Sequence, residues 1–108
     1  MTIRPGEFWI AEIRFTSGAG TKKRPVLVLW PDGSDVVVSA VTSAKPRSNF
    51  DVELADWKTS GLRLPSTVRL SRLDCLEQSI LIARIGVIST IDGDKIKQVW
   101  ASFIKPRF

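Results

Sequence analysis

Between Pro25 and Thr42 the chain reads PVLVLWPDGSDVVVSAVT, two apolar runs on either side of Pro-Asp-Gly. Proline followed by Asp-Gly is a strong turn signal. β-branched runs that flank such a turn come back as antiparallel strands. A run that is apolar at every position, as PVLVLW is, suits a strand covered on both faces. The hairpin therefore belongs at the centre of a sheet, turning at Asp32-Gly33. Proline donates no ladder hydrogen bond, so Pro25 is expected at the start of its strand.

The remaining segments are read around that hairpin. FWIAEIRF (Phe8 to Phe15) places Trp9, Ala11, Ile13 and Phe15 in one phase and Glu12 and Arg14 in the other, a strand with one buried face. TSGAGT (Thr16 to Thr21) reads as a mobile loop. After Thr42 come a basic loop, SAKPRSN, and a short strand, FDVEL. ADWKTSGLRLP reads as a turn-rich connection. STVRLSRL (Ser66 to Leu73) and SILIARIG (Ser79 to Gly86) are further strands. The tail changes period: Ile96, Val99, Trp100 and Phe103 form a helical stripe. Asp92 and Asp94 fall where a helix cap and first turn favour negative charge, and Pro106 ends the helix. The expectation is mainly β with a C-terminal helix, curled into a small barrel, as a single domain over residues 1–108.

Sixteen Lys and Arg against eleven Asp and Glu leave a net charge of +5. Such a balance fits a polyanionic partner, and it equally fits a basic protein without one. Clustering is what separates the two. No apolar run approaches the ~20 residues of a membrane helix, and MTIRPGEF has no apolar leader segment. The single cysteine, Cys75, precludes an internal disulfide and fits a reducing, cytoplasmic compartment. There is no histidine, so a zinc site could draw only on one thiol and carboxylates and is not expected; no cofactor is expected either.

Lys22, Lys23 and Arg24 run directly into Pro25. Arg24 differs from the two lysines, because the proline after it restricts its backbone to extended conformations. A guanidinium on a rigid element can meet a phosphate through two parallel hydrogen bonds. A basic hairpin edge that discourages strand-to-strand association is the competing reading. Thr42 ends the partner strand, and Lys45 and Arg47 follow it, so cations from two loops are expected around one hydroxyl at the open end of the hairpin.

At the level of whole motifs the chain resembles the PemK/MazF family of bacterial toxin endoribonucleases. The resemblance is carried, in order, by RPGEFWIAEI, KRPVLVL, SAVTS, SGLRLPSTVRL and GVISTIDGDKI. It implies an SH3-like barrel with a C-terminal helix, a homodimer, cleavage of single-stranded RNA without metal, and inhibition by a cognate acidic antitoxin. It implies catalytic roles for Arg24 and Thr42, and places Ser66 to Arg69 near the RNA path. Lys22, Lys23, Lys45, Arg47, Ser66 and Arg69 are the expected RNA-binding residues. The first loop departs from the family's frequent Gly-Ser-Glu-Gln: TSGAGTKK lacks the acidic residue and gains cations. The alternative is the same barrel binding nucleic acid or antitoxin without cleavage.

Cleavage without metal uses the substrate's own 2′-hydroxyl as nucleophile. It needs a proton acceptor, a proton donor and donors for developing negative charge. Arginine titrates above ~12, so Arg24 is assigned first to charge stabilisation. Glu7, Glu12 or a water remain open as the base. Trp9 and Trp100 read as core residues, whereas Trp57 fits core packing and base stacking equally. Arg72 is a further candidate for the RNA groove. Cys75 has no histidine to activate it as a nucleophile.

Overall fold

The computed structural model describes residues 2–14 and 20–108. Phe15 and residues 16–19 of the loop expected over Thr16 to Thr21 lie outside the described residues. Six strands form one antiparallel sheet: β1 (Glu7–Arg14), β2 (Thr21–Asp32), β3 (Asp35–Thr42), β4 (Asp51–Glu53), β5 (Thr67–Glu77) and β6 (Leu81–Val87). A 3-10 turn at Gln78–Ile80 precedes β6, and one helix, α1 (Thr90–Phe103), follows it. The spatial order is β4-β5-β3-β2-β1-β6. The hairpin legible at Pro25–Thr42 is therefore central, with β1 and β5 on its two sides.

Asp32 pairs with Asp35, which leaves Gly33 and Ser34 as a two-residue turn, one position later than expected. Gly33 has φ +61° at the first loop position, where a type II′ hairpin calls for glycine. Pro25 does not begin its strand. β2 starts at Thr21, and Thr21–Arg24 pair with β1 before the proline is reached. The ladder with β3 starts only at Val26, so the missing proline N–H falls beside no β3 partner.

Alternation along β2 divides the core in two. Val26 and Val28 join Trp9, Ala11, Val36 and Val38 on one face. Leu27 joins Phe8, Val41, Val68 and Leu70 on the other, where Ile96, Val99 and Trp100 of α1 pack over it. β1 is thus covered on both faces at its start, since Phe8 is buried opposite Trp9, and the one-sided reading holds only for the rest of the strand. Trp57 packs against the helix-side cluster, which resolves its two readings towards core packing.

β5 departs from a simple strand. Leu73 pairs with Ser39, while Arg69 pairs with the next residue, Ala40. Three residues, Leu70 to Arg72, are looped out of the β3 ladder. The extra residues bend the strand, as bulges do. They also reverse its facing. Arg69 opposes Ala40 on the face that carries Val36 and Val38, and beyond the bulge Leu76 opposes Val36 on that same face. An odd residue and an even residue of one strand share a side.

α1 starts at Ser89, whose Oγ accepts from the Asp92 amide at 3.2 Å. Ser89 is the cap, not Asp92. The Asp92 carboxylate turns inward, fully buried, and accepts from the amides of Ala55 and Asp56 at 2.9 and 2.8 Å. The helix N-terminus thereby pins the connection that follows β4. That connection is held again at Gly61, where a Cβ would lie 1.9 Å from the Ile85 carbonyl oxygen. At Gly86 a Cβ would meet the Ser60 carbonyl oxygen at the same distance, 1.9 Å. Two backbones touch there with no room for a side chain, and Gly61 sits at φ +93°.

Candidate active site and RNA groove

The face of the sheet that carries Val26 and Val28 ends in charge. Two residues before Val26, on the same side, comes Arg24; two residues after Ala40, on the same side, comes Thr42. Across the β3–β5 ladder Arg69 opposes Ala40, and Arg72 follows within the bulge. Arg24, Thr42, Arg69 and Arg72 line one concavity of about 220 Å³, with Ile13, Pro25, Ala40 and Val41 as its apolar wall. Arg24 and Thr42 are thus brought together as the sequence reading expected. The fixed charge stands at the open end of an apolar strand face, which is where an anion can be met without being buried in the core.

Thr42 Oγ1 accepts from the Ala44 amide at 3.1 Å. That bond sets the rotamer and uses an oxygen lone pair, so the hydroxyl hydrogen remains to be donated. Arg69 is half-buried, and its Nε has no hydrogen-bond partner. A buried donor left unsatisfied costs about 1–3 kcal/mol, which marks this guanidinium as incompletely served by the protein. Ser39 Oγ donates to the Arg69 carbonyl and fixes the backbone at the start of the bulge.

A second concavity, of about 680 Å³, adjoins the first, and both are lined by Arg24 and Pro25. Lys22, Lys23 and Arg63 supply its charge, and Ile10, Leu62, Leu64 and Ile85 its apolar surface. Ser66 lines it too, but Ser66 is buried and its hydroxyl donates to the Leu64 carbonyl at 2.7 Å, a turn-fixing role. Lys45 and Arg47 line neither concavity. The loop that carries them is tied locally, with the Arg47 amide donating to Asp51 at 2.9 Å. The sequence reading missed Arg63, whose neighbours in SGLRLP gave only a turn signal.

Glu7 is remote from this chemistry. Its carboxylate is buried and accepts from the Arg4 amide at 2.8 Å, the Trp9 indole at 3.1 Å and Arg84 at 2.9 Å. Burial pushes its pKa up, but the Arg4 amide, Arg84 and Trp9 together outweigh that and hold it below the ordinary carboxylate range. It lines a separate hollow with Thr2, Arg4 and Arg84. Glu12 stands opposite Lys23 in the β1–β2 register and lines neither concavity of the site. Among the described residues no group of three His, Cys, Asp or Glu side chains is placed to hold a metal ion. Cys75 is exposed on the far half of β5. Trp30, partly exposed, meets Trp100 edge-on at 5.8 Å, and neither ring lines the site.

The fold and site define a small antiparallel β domain, closed by a C-terminal helix, with an arginine-lined concavity at the open end of its central hairpin. The family model for PemK-like, MazF-like toxins of type II toxin–antitoxin systems matches residues 4–104, and the chain belongs to that family. Among curated proteins none matches the sequence significantly. The fold is similar to that of an endoribonuclease from a mycobacterial species, solved in complex with its cognate antitoxin (TM-score 0.78, 15% identity, 95% of each chain covered). It is similar to the Mycobacterium tuberculosis toxin MazF-mt6 (TM-score 0.73, 20% identity, 93% of this chain and 98% of that one). It is also similar to a chain of a MazE–MazF crystal structure from Deinococcus radiodurans (TM-score 0.75, 17% identity, 96% of this chain and 97% of that one). Among the described residues no helix is long and apolar enough to cross a membrane.

Proposed function

We propose that the protein is a toxin endoribonuclease that cuts single-stranded RNA without metal. The observation that carries this reading is the concavity shared by Arg24, Thr42, Arg69 and Arg72. The scissile phosphate sits among the guanidinium groups. The 2′-oxygen of the preceding ribose attacks phosphorus, its proton passing to a base. The bond to the 5′-oxygen breaks, and that oxygen takes up a proton. A 2′,3′-cyclic phosphate and a 5′-hydroxyl result. Arg24 stabilises the negative charge that builds on the phosphoryl oxygens, and Thr42 donates to one of them or orients the 2′-hydroxyl. Neither the engaged carboxylate of Glu7 nor Glu12 lines the concavity, which favours a water as the proton acceptor.

The protein acts in the cytoplasm, as a homodimer, and is silenced by an acidic antitoxin. An initially disordered acidic segment that folds onto the cations of the groove would compete with RNA by charge complementarity. The test is incubation of the purified protein with a long single-stranded RNA in chelator, with the product ends analysed. Fragments ending in cyclic phosphate and 5′-hydroxyl support the mechanism. Fragments with 5′-phosphate overturn it, and RNA binding without cleavage leaves a non-cleaving barrel.

A further inference from the structure

The larger concavity has a one-sided chemistry. Lys22, Lys23, Arg24 and Arg63 carry donors and no acceptor, and the only other polar side chains lining it among the described residues are the hydroxyls of Ser43 and Ser66. Ser66 gives its proton to the Leu64 carbonyl. No carboxylate or side-chain amide lines it among the described residues. The apolar part is equally particular. Leu64 is 58% exposed, a presentation of hydrocarbon to water that an occupant would relieve. At about 680 Å³ the space lies within the ~300–1,000 Å³ of ordinary small-ligand sites.

We propose that this concavity selects, beside the scissile phosphate, a base whose major-groove-type edge presents acceptors only, guanine or uracil, and that Arg63 is the specificity-determining donor. The inference rests on the RNA-cleavage reading above. The two concavities meet at Arg24 and Pro25, so a phosphate held at Arg24 leaves a flanking nucleotide in the larger space. Its ring faces lie against Leu64 and Ile85. Its edge meets donors. On that edge guanine offers O6 and N7 and uracil offers O4, whereas adenine and cytosine place amino groups there that need acceptors, of which the lining side chains supply only the two serine hydroxyls.

Arg63 is the best placed of the donors to read an edge. It follows buried Leu62, and its segment is fixed at the Asp92 carboxylate and at the Gly61–Ile85 backbone contact. A planar fork on a fixed base discriminates, while flexible lysines on the strand serve phosphates. Glu12 pairs with Lys23 in the β1–β2 register, so that strand pair carries both signs of charge, whereas Arg63 comes from the connection that follows β4.

The experiment titrates the protein with the four 3′-nucleoside monophosphates and with inorganic phosphate, following leucine and isoleucine methyl signals by NMR. Guanosine and uridine 3′-phosphates should bind on the order of ten-fold more tightly than the adenosine and cytidine compounds. They should move Leu64 and Ile85, and phosphate alone should not. Arg63→Gln, at an exposed position, should equalise the four, and Arg63→Lys should leave an intermediate preference. Equal affinities in the wild type, or an undiminished preference in Arg63→Gln, would overturn the proposal. Sequencing of cleavage ends separates the two levels. Cutting with no enrichment of guanine or uracil beside the cut sinks the base selection and leaves the nuclease. Selective nucleotide binding by a protein that cuts nothing sinks the nuclease and leaves the base selection.

Discussion

Replacing Asp92 by Asn tests whether the helix terminus holds the wall of the groove. The native carboxylate accepts two backbone N–H groups, at 2.9 and 2.8 Å, from a fully buried position. Hydrogen bonds to a charged group are worth about 1.5–3 kcal/mol each. Asparagine keeps one acceptor oxygen and turns an N–H₂ towards the other amide. One hydrogen bond disappears and one buried donor is orphaned, so the expected cost is about 3 kcal/mol. The Lys95 contact at 3.4 Å adds little, because Lys95 is substantially exposed. At ~4 °C per kcal/mol for a chain of this size, the midpoint should fall by about 12 °C.

The same substitution has a pH signature. Burial raises the Asp92 pKa, but the Ala55 and Asp56 amides and Lys95 outweigh it, and the net direction is down. A carboxyl with a folded pKa below its unfolded value stabilises the fold above ~pH 4, and that contribution is lost as pH falls through the folded value. The gap between wild type and Asp92→Asn should therefore be widest at pH 7 and should narrow in acid. Urea unfolding followed by tryptophan fluorescence at pH 7 and pH 3 measures both. A gap below ~0.5 kcal/mol at pH 7, or one equally large at pH 3, would refute the account.

Arg24→Ala should abolish most RNA cleavage while circular dichroism stays native, Arg24→Lys should restore a part, and Thr42→Ser should retain more activity than Thr42→Ala. Wild-type rates in Arg24→Ala would remove Arg24 from the mechanism. Lys22→Ala with Lys23→Ala should flatten the dependence of log RNA affinity on log salt, by ~0.7 for each phosphate no longer neutralised, as read from a binding titration across salt concentrations. Gly86→Ala drives a Cβ to 1.9 Å from the Ser60 carbonyl, so chemical unfolding should show a destabilisation of about 3 kcal/mol or a failure to fold. Glu7→Gln should reduce stability at neutral pH and much less below ~pH 4, because the Glu7 pKa is also shifted down.

What could be read from residues alone was whatever depended on near neighbours. The hairpin turn after Pro31, which falls one position later than read, the β-branched return strand β3 and the stripe Ile96, Val99, Trp100 are local patterns, and the structure carries each as an element. Arg24 and Thr42 could be paired because one hairpin joins them, and register propagates from its turn. Pro25 misled because the rule against proline concerns a ladder on both sides, and here the ladder with β3 begins one residue later, at Val26. Asp92 misled because the partners of a buried carboxylate, Ala55 and Asp56, lie far away in sequence. Lys45 and Arg47 were placed near the site because their loop follows Thr42, and adjacency in sequence says nothing of where a loop turns; they line neither concavity. Arg63 went unnoticed because its setting depends on Gly61 meeting Ile85 across the fold.

The looped-out segment Leu70–Arg72 imposes an arithmetic on how this chain can drift. On one side of it Arg69 faces as Ala40 does, and on the other Leu76 faces as Val36 does. Losing or gaining one residue within the segment would exchange inner and outer positions all along Leu73–Glu77, presenting Leu76 to water and Cys75 to the interior. Losing or gaining two would not. Length variants here are therefore permitted by parity: even changes alter the reach of Arg72 and keep the barrel, whereas odd ones turn half a strand inside out.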